Sequence, residues 1–285
     1  MSRQKLGQHF LSDISWRTRI AETLPANRDA IWLEIGAGHG EMTELLATRA
    51  RRVIAIETDA ALASALRKRP AYSPANATGS AVTPGSPAKA ADSATTAGYN
   101  VEVIHADILS LDLAALTRER FRVYGNLPYY ITSPILTHLF RFADHIDPIH
   151  IVTQLEVAQR IAAHPRSRDY GYLSTLCQFY ARPELVFRIP PGAFQPPPKV
   201  TSALIEMRLP GERAALGIRD EPAFLKFLQL CFAHKRKTLR NNLRRTYAHG
   251  AVAQSLADAA LTDNSRAEEL TLRQFAQLFL SLAEK

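Results

Sequence analysis

From Ile31 onward the sequence repeats one pattern: a short run of β-branched and other apolar residues, followed by a stretch with helical periodicity. The runs are IWLEIG (31–36), VIAIE (53–57), VEVIHA (101–106), FRVYG (121–125), IHIVTQ (149–154), ELVFRIP (184–190) and SALIEMRL (202–209). Short apolar runs separated by helices predict a parallel sheet covered on both faces, because each crossover lays its helix against the sheet. The expected fold is therefore α/β, a Rossmann-like sheet of seven strands. After Pro210 the strand pattern stops, and helical periodicity continues through AFLKFLQLCFAHKRKTLRNNLRR, AVAQSLADAAL and TLRQFAQLFLSLAEK. Residues 1–210 are thus expected to form the sheet domain and 211–285 a small all-helical domain.

One segment breaks the rhythm. Residues 71–98 include 23 Ala, Ser, Thr, Pro or Gly among 28 positions, with Lys89 and Asp92 as the only charges. Such a composition has almost nothing to bury, which predicts a mobile surface loop inserted ahead of the third strand, without a role of its own. At the fourth strand, Ser133 followed by Pro134 predicts an N-cap and first helical position. Thr271 is a candidate cap for the last helix.

The turn EIGAGHGEMT (34–43) follows the first strand and opens a helix, so its glycines let backbone pass close to a ligand at the carboxyl edge of the sheet. The spacing Gly36, Gly38, Gly40 is not the dinucleotide fingerprint, and Glu34 and Glu41 make poor neighbours for a pyrophosphate. Glu57 ends the second strand, 21 residues after Gly36, where an acid accepts the hydroxyls of a ribose. Asp107 follows the third strand, placed to accept from the amine of an adenine. A ligand with ribose, adenine and a cationic head but no phosphate is S-adenosylmethionine. A nicotinamide dehydrogenase is the rival on the same sheet edge.

The fourth strand runs into the uncharged YGNLPYYITSPIL (124–136), which delivers Asn126, Pro128 and Tyr129 to that edge. An asparagine oxygen and a proline-fixed backbone carbonyl can both accept from an exocyclic amine, and an aromatic ring offers a base a stacking face. That is the equipment for methylating adenine N6. The net charge of +8 suits a polyanion, as does KRKTLRNNLRR, where Lys235, Arg236, Lys237, Arg240, Arg244 and Arg245 are expected on one helix with an i, i+4 row of arginines. Two separated cysteines, Cys177 and Cys231, in apolar helical patterns predict buried free thiols and a reducing compartment. The histidine spacings predict no metal site, and no apolar run predicts a membrane span.

In these motifs the chain resembles the ribosomal RNA adenine N6,N6-dimethyltransferases of the KsgA/RsmA type, which are related to eukaryotic dimethyltransferases and the macrolide-resistance Erm enzymes. LGQHFLSD (6–13), EIGAGHGEMT, IAIETD, HADIL and NLPYYITSPIL stand in family order, and AFQPPPKVTSALI (193–205) and HKRKTLRNNL (234–243) extend the likeness over nearly the whole chain. The resemblance implies S-adenosylmethionine as cofactor, held by His9, Leu11, Gly36, Glu57, Asp107 and Asn126, with Glu34 and Gly38 in the same turn. It implies that Asn126 contacts the target amine and that Tyr129 and Phe194 clamp the extruded base. Lys235, Arg236, Lys237, Arg240 and Arg244 of the helical domain would meet RNA. The implied protein is a cytoplasmic monomer acting on adjacent adenines of 16S rRNA, free or in a pre-30S particle. The alternatives are an Erm-type enzyme of 23S rRNA and an inactive RNA-binding assembly or transcription factor. The family more often has Asn at position 9, and its connection at 71–98 is shorter.

Overall fold

The computed structural model describes residues 9–69, 92–95 and 100–283. In chain order the elements are β1 (Phe10–Leu11), α1 (Ile14–Thr23), β2 (Ile31–Ile35), α2 (Glu41–Ala47), β3 (Arg52–Glu57), α3 (Ala60–Arg67), β4 (Asp92–Thr95), β5 (Val101–His105), α4 (Leu113–Leu116), β6 (Phe121–Asn126), α5 (Thr132–Phe140) and β7 (Ile146–Gln154). There follow α6 (Leu155–Ile161), α7 (Tyr172–Tyr180), β8 (Arg182–Ile189), β9 (Phe194–Gln195), β10 (Ser202–Arg208), α8 (Glu221–Cys231), α9 (Leu239–Leu243), α10 (His249–Asp258) and α11 (Leu272–Ala283). Two compact units result, Met1–Leu155 with Val186–Glu206, and Glu156–Leu185 with Met207–Lys285. The second unit therefore takes in α6 and α7 as well as the helices after Pro210.

The main sheet runs β4-β5-β3-β2-β6-β7-β10-β8. Seven of these strands are the runs read from the sequence, and β2 pairs in parallel with both β3 and β6. All five residues of β2 are buried, the mark of a strand covered on both faces. The strand order reverses between β2 and β6, and a crevice opens at the carboxyl ends of the strands flanking such a reversal. Ile35 lies opposite Gly125 in this register, so the glycine turn after β2 and Asn126 at the end of β6 leave the sheet side by side.

The core beneath that edge holds Trp32, Val53, Ala55, Val103, Tyr124 and Leu204 on one face of the sheet, against Ile20 and Leu24, Met42 and Leu46, and Ala63 and Leu66. Each large apolar side chain buried there stabilises the fold by about 1.5–3 kcal/mol. Asp13 caps α1 by accepting from the Ser15 and Trp16 N–H groups, and Asp59 caps α3 through those of Ala61 and Leu62.

Three expectations are corrected. Of the segment 71–98, only 92–95 lie among the described residues, and they form β4, an edge strand antiparallel to β5, where a loop was expected. Short β-tolerant residues such as Ser93 and Thr95 extend an existing edge without any apolar pattern. Helix α5 begins at Thr132, so Ser133 and Pro134 occupy its first turn; proline is tolerated there because those N–H groups lack helical partners. The basic stretch, third, is not one helix. Lys235, Arg236 and Lys237 lie in a turn between α8 and α9, and Arg240 alone of the predicted row is inside α9, with Arg244 as its C-cap. Thr238 starts the new helix by accepting from the Asn241 N–H, and the Asn242 side-chain amide, buried, donates to the Cys231 carbonyl and so fixes the break.

Among the described residues no helix is long and apolar enough to cross a membrane, and no group of three His, Cys, Asp or Glu could hold a metal ion. Cys177 and Cys231 are free and buried, and burial pushes both thiols up.

Candidate active site

At the carboxyl edge of the sheet lies a cavity of about 340 Å³. His9, Gly36, Gly38, Glu57, Asp107, Asn126 and Tyr129 all line it, which brings together seven of the residues singled out in the sequence. The glycine turn makes the approach possible. Gly36, Gly38 and Gly40 have φ of 72°, 58° and 86°, a left-handed backbone that side chains resist. A Cβ on Gly36 would come 3.8 Å from the Asn126 carbonyl, and one on Gly38 would press to 3.0 Å from the Phe10 ring.

Glu57 is buried, and its carboxylate is fixed by two backbone donors, the Gly38 N–H to Oε2 and the Asp59 N–H to Oε1, each at 2.8 Å. Asp107 is exposed and accepts from the Leu109 N–H through Oδ1 at 3.0 Å, starting a short 3-10 turn. Both acids thus present oxygens whose direction is set by backbone.

Asn126 is oriented by the strap before β1. Its side-chain NH2 donates to the His9 carbonyl at 2.9 Å. That leaves Oδ1 as the acceptor end of the amide. After it, the Leu127 N–H donates to the Val152 carbonyl, and the Pro128 carbonyl accepts from the Ile131 N–H and, at 3.4 Å, the Thr132 hydroxyl. Tyr129 is half-buried; its hydroxyl meets the Ser202 Oγ at 3.0 Å, and its ring stacks on His9 with centroids 5.8 Å apart. Burial raises the Tyr129 phenol.

His9 Nδ1 is 2.7 Å from the Pro196 carbonyl, so that nitrogen carries the proton and donates. In the neutral ring Nε2 is then an acceptor, and only the imidazolium has a second N–H to offer a carboxylate.

Three residues named from the sequence are not in the cavity. Leu11 and Phe194 pair across the two-stranded sheet of β1 and β9, and both side chains turn into the core, with exposures of 6% and 2%. Phe194 therefore does not line the cavity that Tyr129 lines. Glu34 is also buried beneath the turn, and its Oε2 finds no hydrogen-bond partner among the described residues. Burial pushes its carboxyl up to about 8, against the pull of the Thr43 hydroxyl, with the charges of Glu57 and Glu41 adding to the rise. The unfolded chain releases this proton near the ordinary value of 4.5 and the folded chain holds it to about 8, so Glu34 removes stability progressively as pH rises through that window. Glu34→Gln abolishes the dependence. Urea unfolding at pH 5 and pH 8.5 should show the variant gaining about 2–4 kcal/mol on the wild type between the two.

Residues not anticipated include Phe10, Ile56, Ile108, Leu109, Tyr130 and Ile135, which line the cavity with apolar surface. Ser202, the partner of Tyr129, stood in VTSAL with no chemical signal of its own. In the second unit, Arg240 forms an ion pair with Asp263, and Lys235 Nζ donates to the Arg168 carbonyl at 2.9 Å. Arg245 contacts the His234 ring.

A family model described as ribosomal RNA adenine dimethylase matches residues 1–78 and 88–284. The chain belongs to the ribosomal RNA adenine dimethylase family. It is 42% identical to the ribosomal RNA small subunit methyltransferase A of Acidobacterium capsulatum, over 99% of this chain and 92% of that one. It is 40% identical to the protein of the same name from Koribacter versatilis, over 98% and 94%. Among solved structures, the 23S rRNA methyltransferase ErmE matches with a TM-score of 0.64 and 28% identity, covering 96% of this chain and 99% of that one. A dimethyladenosine transferase from Plasmodium falciparum matches with a TM-score of 0.73 at 22% identity, covering 97% and 98%, a likeness of fold.

Proposed function

We propose that this chain transfers methyl groups from S-adenosylmethionine to the N6 amines of adjacent adenines in small-subunit rRNA, forming N6,N6-dimethyladenine during assembly of that subunit. The observation that carries the reading is the amide of Asn126: with its NH2 held by the His9 carbonyl, its oxygen is left to accept a hydrogen bond at the cavity.

The cavity fits the cofactor. Gly36 and Gly38 supply the left-handed backbone of the turn that lines it, Glu57 is aimed by two backbone donors, and Asp107 stands at its edge. Glu57 would accept from the ribose hydroxyls and Asp107 from the adenine amine, while Gly36, Gly38 and the backbone around His9 would cradle the amino-acid end. Leu11 and Glu34 would support the strap and the turn from the core. When bound, the cofactor supplies an electrophilic methyl carbon on a positively charged sulfur.

The protein's task is to make a poor nucleophile presentable. The lone pair of adenine N6 is delocalised into the ring. Asn126 Oδ1 accepts from one N–H, and the Leu127 carbonyl, held ahead of Pro128, accepts from the other. Two acceptors favour a pyramidal nitrogen with its lone pair turned out of the ring plane. These dipoles are fixed before substrate arrives, so positioning and electrostatics provide most of the acceleration. No strong base is needed, because the proton leaves readily once the nitrogen is cationic. Tyr129, with one face toward His9 and its hydroxyl anchored to Ser202, offers its other face to the extruded base. Lys235, Arg236, Lys237 and Arg244 supply positive charge for the phosphates, and Arg240 contributes less while paired with Asp263. The protein acts as a cytoplasmic monomer.

The likeness to ErmE supports one second reading, methylation of 23S rRNA. Transfer of tritiated methyl groups to isolated 30S and 50S particles, with nucleoside analysis, separates the two. Label in N6,N6-dimethyladenosine from the 30S particle alone is expected; label confined to 50S would establish the rival.

A further inference from the structure

The turn that carries Tyr129 carries a second ring. Residues 128–131 close on the hydrogen bond from the Ile131 N–H to the Pro128 carbonyl at 3.2 Å, which makes Tyr129 and Tyr130 its two central residues. Their side chains leave in different directions. Tyr129 is half-buried, with its hydroxyl on Ser202, whereas Tyr130 is 64% exposed and still borders the cavity. A single exposed apolar group needs no explanation. Here, of five exposed large hydrophobic side chains among the described residues, two border this cavity, Tyr130 and Leu109. Tyr130 also sits on backbone pinned by the turn and continued directly into α5, so the point from which its side chain leaves the rim is set before anything binds.

A target adenine that reaches Asn126 has left its stack, and its chain neighbour has lost a stacking partner with it. An aromatic face on the rim replaces that partner, and base–aromatic stacking tolerates any base because every base has a π-face. We propose that Tyr130 is a substrate-positioning residue whose ring stacks on the nucleotide next to the target adenine, holding the opened strand while its neighbour occupies the cavity. This rests on the reading of the chain as an rRNA adenine methyltransferase.

The test uses unmethylated 30S particles and particles assembled from rRNA with an abasic residue on either side of the target in turn, with wild type, Tyr130→Phe and Tyr130→Ala. On intact particles Tyr130→Ala should raise KM for the particle about 10-fold or more, with Tyr130→Phe within about twofold of wild type. Affinity for S-adenosylmethionine should be the same in all three. On one of the abasic particles the wild type should fall to the level of Tyr130→Ala, and the variant should lose nothing further. Equal KM for wild type and Tyr130→Ala on intact particles overturns the proposal. So does a full additional loss for Tyr130→Ala on both abasic particles, which would make the ring a support of the turn. No transfer by the wild type to any adenine would instead overturn the functional reading, and the role of Tyr130 with it.

Discussion

Replacing Asn126 with alanine is expected to lower the rate of methyl transfer by about 10²- to 10³-fold while S-adenosylmethionine affinity stays within a few fold, the scale of losing one preorganised dipole in a water-poor site. The reason lies in what each end of the amide touches. The NH2 end is spent on the His9 carbonyl, a contact within the resting protein. The Oδ1 end gains its partner only when an amine arrives, and the hydrogen bond strengthens as that nitrogen becomes positive, so its loss falls on kcat and not on cofactor binding. Asn126→Asp keeps an acceptor but cannot donate to His9. It should bind cofactor and transfer poorly, because the carboxylate is no longer tied to the strap. Single-turnover kinetics on 30S particles, alongside calorimetry of cofactor binding, separate the two effects. A transfer rate within a few fold of wild type for Asn126→Ala would show that no acceptor is required at this position.

The second large effect is at Gly36. Its φ of 72° is unfavourable for any residue with a Cβ, at about 1–2 kcal/mol, and that Cβ would point toward the Asn126 carbonyl at the floor of the cavity. Gly36→Glu adds a long charged side chain there. The predicted result is at least a 100-fold loss of S-adenosylmethionine affinity, well beyond the backbone strain alone, with unfolding changed only by about 1–2 kcal/mol. Isothermal titration measures the first and thermal unfolding the second. Unchanged affinity would place the cofactor elsewhere.

Most of what these two predictions use was legible in the sequence because it depends on local chemistry. A glycine-spaced turn after a buried strand, an acid ending the next strand and NLPY ending the fourth are each set by a few consecutive residues, and sheet topology then gathers them at one edge. What was not legible depends on tertiary choices. Phe194 stands in a motif that suggests a clamp, but two-residue pairing with β1 sends its side chain to the same inner face as Leu11. A shift of one residue in that register would reverse it. The basic stretch has the periodicity of one long helix, and a threonine cap with a buried asparagine amide, neither strong in isolation, splits it. Residues 92–95 pair as an edge strand because the neighbouring strand offers hydrogen bonds, a partner no composition reveals. Glu34 was read as a neighbour of the ligand, and the continuous burial of β2 makes it a core acid instead.

The geometry at the amine can be measured directly in a structure of the protein with S-adenosylhomocysteine and an rRNA fragment or particle whose target adenine is in place. The expected geometry has the N6 nitrogen about 2.7–3.2 Å from both Asn126 Oδ1 and the Leu127 carbonyl, with the base against Tyr129. A seated adenine whose nitrogen lies beyond hydrogen-bond reach of both oxygens would contradict it.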